Sequence, residues 1–330
     1  MHAVHDDNQA STGDPVSLVV AIPTFKRPDR LVRTLDLVGA QVAPLASDGR
    51  VSSASILVID NDPAESARGV VDDSYHGVRT RYVAEATPGI PAVRNRALDE
   101  SADIRLLSFI DDDEVPLEGW ISSLLETWST TGRPAAVMGR VVSLFDPDAD
   151  PWVLESGLFR RPQRRTGAEI AVAATGNLLL DLSQVRRSGV RFDQRIGLGG
   201  GSDTLFSMGL KKTGARLVWC NESVAEDAVE PERQTRPWAL KRSFSHGNVS
   251  VLVQLRLEPR SSRRALIRVK GVVGGAARVV AGFGRHLYGR LSRSVRHDAR
   301  GLRLVYRGAG MISASVGQTY SAYSRPGSSA

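Results

Sequence analysis

Apolar and polar positions alternate in blocks along the first 130 residues. "VSLVVAIPTF" (16–25) is a near-continuous apolar run, the pattern of a strand covered on both faces. "RPDRLVRTLDLVGAQ" then follows helical spacing, with Pro28 near the first turn. "SILVIDND" predicts a second buried strand and "IRLLSFIDDD" a third, and both end in acids. "IPAVRNRALDESA" reads as a helix opened by Pro88, Gly89 and Pro91. "LEGWISSLLETWSTTG" reads as another, stopped at Gly132. Strand and helix alternate, which predicts an α/β fold with a mostly parallel central sheet and helices on both faces. "AAVMGRVVSLF" and "TGNLLLDL" predict further strands. "RFDQRIGLGGGSDTLFSMGLKKTGARLVWC" predicts a Gly-rich loop, a helix and a strand.

Beyond residue 260 the texture changes. Leu266, Val269, Val273, Ala276, Val280, Phe283 and Leu287 recur at helical spacing, with arginines on the other face. Glycines at 271, 274, 275, 282 and 284 are expected to weaken that helix. The expected organisation is a disordered leader at 1–15, a catalytic domain at 16–255 and a basic helical C-terminal extension at 256–330. Within the catalytic domain, about 16–115 would serve one ligand and about 116–255 another.

Charge sharpens this division. The chain carries a net +7, yet Arg256–Arg307 holds fourteen Lys and Arg against Glu258 and Asp298, which leaves the remainder acidic. One cysteine, Cys220, excludes an intrachain disulfide framework. No apolar stretch has the length of a membrane span, and the N-terminal residues lack a signal-peptide core. A cytoplasmic protein is expected, peripheral on the inner face of the cell membrane if the basic helix binds anionic lipid.

In parallel sheets, ligands bind beyond the carboxyl ends of the strands. Three strands deliver polar groups there: Pro23-Thr24, Asp60-Asn61-Asp62 and Asp111-Asp112-Asp113. Alternate residues of an extended strand share a face, so Asp111 and Asp113 point one way and Asp112 the other. Two such carboxylates form a hard oxygen site suited to Mg²⁺ or Mn²⁺ shared with a substrate phosphate. Arg27 and Arg94, with Lys26, Arg30 and Arg96 as weaker candidates, match phosphate geometry.

"AIPTFKRPDRL", "VIDND", "TPGIPAVRNRAL", "FIDDDEVP" and "GGGSDTLFSMGLKKTGARLVW" stand in the order and spacing of the family 2 glycosyltransferases, which the chain resembles over residues 16–250. The resemblance implies an inverting enzyme of the A-type nucleotide-diphospho-sugar transferase fold. It implies Pro23, Thr24 and Arg27 at the nucleotide, Asp60 at the base or ribose, and Arg94 and Asn95 near the diphosphate; Asp62, a further candidate on the nucleotide side, stands where the common pattern has another small polar residue. Asp111, with Asp112 beside it, would face the ribose, and Asp113 the metal. Asp203 would deprotonate the acceptor. Many relatives have Glu-Asp there, whereas this chain has Ser202-Asp203. A metal-binding histidine of many relatives is absent after the next strand, where Glu226 is the candidate replacement; His246 lies too far along. Trp238, in "RQTRPW", is read first as a core tryptophan and second as a candidate for stacking on a sugar, and Trp152 is expected in the core.

The resemblance implies a nucleotide-diphospho-sugar donor and a carbohydrate or lipid-linked acceptor. A nucleotidyltransferase of similar fold would need a Gly-rich phosphate loop after the first strand, and "PTFKRPDR" has no glycine. A basic nucleic-acid-binding protein would interleave aromatics with its arginines, which this tail does not, so no nucleic-acid partner is expected.

Overall fold

The structure is a computed structural model and describes residues 16–47, 49, 51–161, 163–196 and 200–320. The leader and Gly199 lie outside the described residues. In chain order the elements are β1 (Val16–Thr24), α1 (Pro28–Val42), β2 (Val51–Asp60), β3 (Ser74–Tyr75), β4 (Val78–Ala84) and α2 (Ile90–Asp99). Then come β5 (Leu106–Ile110), β6 (Glu114–Pro116), α3 (Trp120–Thr130), β7 (Ala136–Leu144), α4 (Pro151–Ser156) and β8 (Asn177–Asp181). The chain continues with α5 (Leu182–Ser188), α6 (Ser202–Lys212), β9 (Leu217–Ala228), α7 (Arg236–Leu257), α8 (Ser261–Leu291) and α9 (Val295–Ser315).

Among these residues the strands form one sheet in the order β3-β4-β2-β1-β5-β8-β7-β9-β6. β4, β2, β1 and β5 are parallel, as the alternation predicts. Beyond β5 the sheet is mixed: β8 runs antiparallel to β5 and β7, and β6 antiparallel to β9. The two expected halves of the catalytic region therefore share one continuous sheet.

The apolar runs are explained by cover on both faces. Leu18, Val20 and Ile22 of β1 pack with Leu31, Leu35 and Val38 of α1 and Trp120 and Leu124 of α3. Val19 and Ala21, pointing the opposite way, pack with Val93 and Ala97 of α2 and Phe206 and Leu210 of α6. Fully burying each such side chain stabilises the fold by about 1.5–3 kcal/mol.

The C-terminal region corrects one expectation. The glycines do not weaken α8, which runs unbroken for 31 residues. Gly271, Gly275, Gly282 and Gly289 are its buried residues, and they face α9. A Cβ on Gly275 would lie 2.7 Å from the carbonyl oxygen of Gly308, and one on Gly282 2.8 Å from that of Gly301. Glycine is required here because the two backbones touch. α9 in turn covers α4 and α7: Trp152, Val153, Ala239 and Ala299 share a small core, and Trp152 Nε1 donates to Asp298 at 3.0 Å. Trp152 is thus a core residue, as expected.

Candidate active site

The parallel register brings the polar strand ends together, with Thr24 opposite Asp60 and β5 alongside β1. Thr24 Oγ1 donates to Asp112 Oδ2 at 2.7 Å. Arg27, at the start of α1, donates to Asp113 at 2.7 Å and to Glu230 at 2.9 Å. Arg30 reaches the same Glu230 at 3.1 Å. Thr34, one helical turn deeper, donates to the carbonyl oxygens of Asp112 and Glu114 at 2.9 and 3.3 Å and so holds the acidic turn against α1.

The acids crowd one another. Burial pushes the Asp111 carboxyl up to about 7; Arg94 opposes the rise, and Asp113, Asp203 and Asp112 add to it. Burial also lifts Glu114 well above its ordinary value, with Asp111, Asp113 and Asp227 adding to it. Asp227 is raised by burial and by Asp113. Hard carboxylate oxygens gathered with excess negative charge fit a divalent cation such as Mg²⁺ or Mn²⁺. Among the described residues no three His, Cys, Asp or Glu side chains form a ready metal cage. Asp111 and Asp113 would hold an ion only in part and leave positions for phosphate and water.

On the other side of Arg94 stands Asp203. Arg94 is 7% exposed and ion-paired to Asp203 Oδ1, and it donates to Ser202 Oγ at 3.1 Å. The backbone N–H and hydroxyl of Thr175 donate to Asp203 Oδ2 at 3.4 and 3.3 Å. Asp203 sits in the first turn of α6, whose N-cap is Gly201 with no side-chain capping bond. Its carboxylate is therefore aimed across the site rather than spent on the helix end. Gly201 has φ +86°, and a Cβ there would strike the side chain of Val249 on α7.

Several candidates are engaged by neighbouring groups of the protein itself. Asp60 is fully buried; its oxygens accept from Asp62 N at 2.9 Å, Ala67 N at 3.0 Å and Tyr82 Oη at 2.9 Å. Asp62 accepts from Ala64 N at 3.2 Å, a local turn contact. Asn95 exchanges both ends of its amide with the backbone of Phe192, at 2.9 and 3.0 Å, which pins the loop before α6. Pro23 is buried within β1. These residues shape the rim rather than presenting free polar atoms to it.

The expectation for Glu226 is corrected. β9 pairs Asp227 with Glu114 and Glu226 with Val115. Neighbouring strand residues face opposite ways, so Asp227 joins the acids and Glu226 turns from them. The sequence offers Asp227 beside Glu226 but favours Glu226, and it gives no signal for Thr34, Thr175 or Glu230. Strand alternation would have separated residues 226 and 227 only once the register with β6 was known.

The model of glycosyl transferase family 2 matches residues 19–186. The succinoglycan biosynthesis protein ExoM of Rhizobium meliloti (strain 1021) is 32% identical over 234 residues, covering 69% of this chain and 72% of that protein. Among solved structures, the mannosyltransferase PcManGT from Pyrobaculum calidifontis in complex with GDP-Man and Mn²⁺ superposes with a TM-score of 0.59 at 15% identity, over 93% of this chain and 89% of that one. S. aureus TarS 1-349 in complex with UDP-GlcNAc gives 0.50 at 11% identity, over 88% and 91%. With its mixed sheet of the A-type glycosyltransferase fold and its match over half its length, this chain belongs to glycosyl transferase family 2.

Proposed function

We propose that this glycosyltransferase moves a sugar, with inversion, from a nucleotide-diphospho-sugar to an acceptor hydroxyl during assembly of a polysaccharide. The observation that carries this reading is Arg94, buried between the acids of the β5 end and Asp203. Donor and acceptor chemistry then have separate carboxylates within one site. The relative named for succinoglycan biosynthesis supports the polysaccharide context, and the neighbours bound to GDP-Man and UDP-GlcNAc support the donor class.

Asp203 Oδ takes the proton of the acceptor hydroxyl as that oxygen bonds to the sugar C1. The bond from C1 to the diphosphate oxygen breaks, and the nucleoside diphosphate leaves with its electron pair. Arg94 and Thr175 hold the Asp203 carboxylate in place during the transfer. Arg27 and Arg30 stand beside Asp113, where guanidinium groups can meet diphosphate oxygens. A divalent ion held by Asp111 and Asp113 would neutralise charge on the departing diphosphate. Asp113→Ala is expected to abolish turnover and weaken donor binding in the presence of Mg²⁺ or Mn²⁺. Donor hydrolysis and calorimetry measure both, and full activity in excess chelator overturns the metal requirement.

The same protein is proposed to lie on an anionic membrane face. At 3.6 residues per turn, the apolar positions from Leu266 to Leu287 fall within about 100° of arc on α8, opposite the glycines that pack on α9. They are exposed: Val273 by 63%, Val280 by 73% and Phe283 by 55%. Arg263 and Lys270 on one side and Arg290 on the other flank that stripe. No helix among the described residues is long and apolar enough to cross a membrane. Each basic residue near an anionic surface contributes about 1 kcal/mol. The protein should sediment with anionic vesicles at low salt and be released as salt rises. The combined variant Val273→Ser, Val280→Ser and Phe283→Ser should lose this binding without a shift in melting temperature. Wild-type protein that ignores such vesicles at low salt refutes the placement.

A further inference from the structure

A cavity of about 750 Å³ opens beside the site, walled by the segment around residues 158–174, the end of β9 and one face of α7. Its lining is strongly positive. Arg160, Arg161, Arg164, Arg233, Lys241 and Arg242 all border it, and Asp227 is the single acid among the described lining residues. These cations come from three separate stretches of chain. Like charges repel, so a concave wall that gathers them from distant positions favours an anionic occupant. His246 also lines the cavity. Burial and the charges of Arg242, Arg307, Arg303 and Arg161 hold its imidazole down to about 4, so it is a neutral hydrogen-bonding group there.

The cavity touches the reaction centre at two points. Asp227 is opposite Glu114 and within the field of Asp113. Ala174, in the lining, precedes Thr175, which donates to Asp203. The lining also has an apolar wall, where Trp238 and Phe159 stack with ring centroids 5.7 Å apart at 12°. A flat aromatic wall next to arginines suits a sugar joined to a phosphate.

We propose that the acceptor carries a phosphate or diphosphate group, which this basic cavity holds while the acceptor hydroxyl points toward Asp203. The proposal rests on the glycosyltransferase reading above. Bidentate arginine contacts favour phosphate, and several cations around one group match a diphosphate better than a single carboxylate.

Inorganic pyrophosphate is the probe, titrated calorimetrically into the full chain in excess chelator. Without a divalent ion Asp111, Asp112 and Asp113 oppose binding at the donor side, and the cavity variants separate binding in the cavity from binding at Arg27 and Arg30. Wild-type protein should bind, and Arg160→Ala, Arg164→Ala and Lys241→Ala together should weaken binding at least ~10-fold, the scale of lost charge-assisted bonds. Asp113→Ala should still bind. If the triple variant fails to fold by circular dichroism, Lys241→Glu alone, on the exposed side of α7, serves in its place. A second arm compares pyrophosphate with geranyl diphosphate. Tighter binding of the prenyl form assigns the phosphate to a lipid carrier, and equal binding assigns it to the glycan itself. No binding by wild type at millimolar pyrophosphate, or unchanged binding by the variants, overturns the proposal. Failure of the underlying reading would register separately, as absent donor hydrolysis by wild-type protein with divalent metal.

Discussion

Asp203→Asn is expected to lower kcat by about 10²–10⁴-fold, the range for loss of a general base. The donor should still bind, because the proposed nucleotide side is built from β1, β2 and β5, whereas Asp203 is on α6. The amide keeps one oxygen to accept from Arg94, so the buried guanidinium is not left without a partner. Removing that oxygen as well, by Asp203→Ala, should add a stability loss below the about 3–5 kcal/mol of a fully buried pair, because Asp203 is 26% exposed and Arg94 keeps Ser202 and the field of Asp111. Comparing the two variants by thermal melting and by steady-state kinetics separates chemistry from anchoring. If kcat for Asp203→Asn stays within a few-fold of wild type, the carboxylate serves only to anchor Arg94. Retention of configuration at C1 would contradict a one-step displacement.

The second large effect concerns the C-terminal hairpin. A chain cut after Glu258 is expected to be insoluble, or to lose cooperative unfolding, because α9 is part of the core. The cut uncovers Trp152 and Ala239, and Val251 and Leu255 lose their contact with Ala314. It also removes the carbonyls of Gly310 and Gln318 that accept from the buried Asn248 amide at 3.4 and 3.0 Å. Arg303, which donates to the Ser156 carbonyl at 2.7 Å, is lost with them. A gentler probe is Gly308→Leu. A Cβ there would lie 2.5 Å from the Gly275 carbonyl oxygen and 3.0 Å from Arg278 Cβ. Overpacking costs about 1–3 kcal/mol where side chains can yield, and a backbone contact yields least, so the upper end or beyond is expected. Chemical denaturation measures it. A truncated chain that stays soluble and hydrolyses donor would make the hairpin an appendage.

Residue order alone determined the parallel half of the sheet, because runs such as "VVAIPT" and "LVID" are apolar on both faces and only a doubly covered strand tolerates that. It also determined that acids and arginines meet at the strand ends, since parallel strands expose their carboxyl ends at one rim. Tertiary structure decided what those side chains do. Asp60 and Asn95 look available in sequence, yet their atoms are taken by Ala67, Tyr82 and the Phe192 backbone, partners 7 to 97 residues away. The choice of Asp227 over Glu226 depends on the register of β9 against β6, and a shift of one residue would reverse it. The glycines of α8 give the plainest case. Intrinsic propensity makes each a weak point in an isolated helix. Only contact with a second backbone turns their missing side chains into the packing surface, and that contact turns the apolar stripe outward.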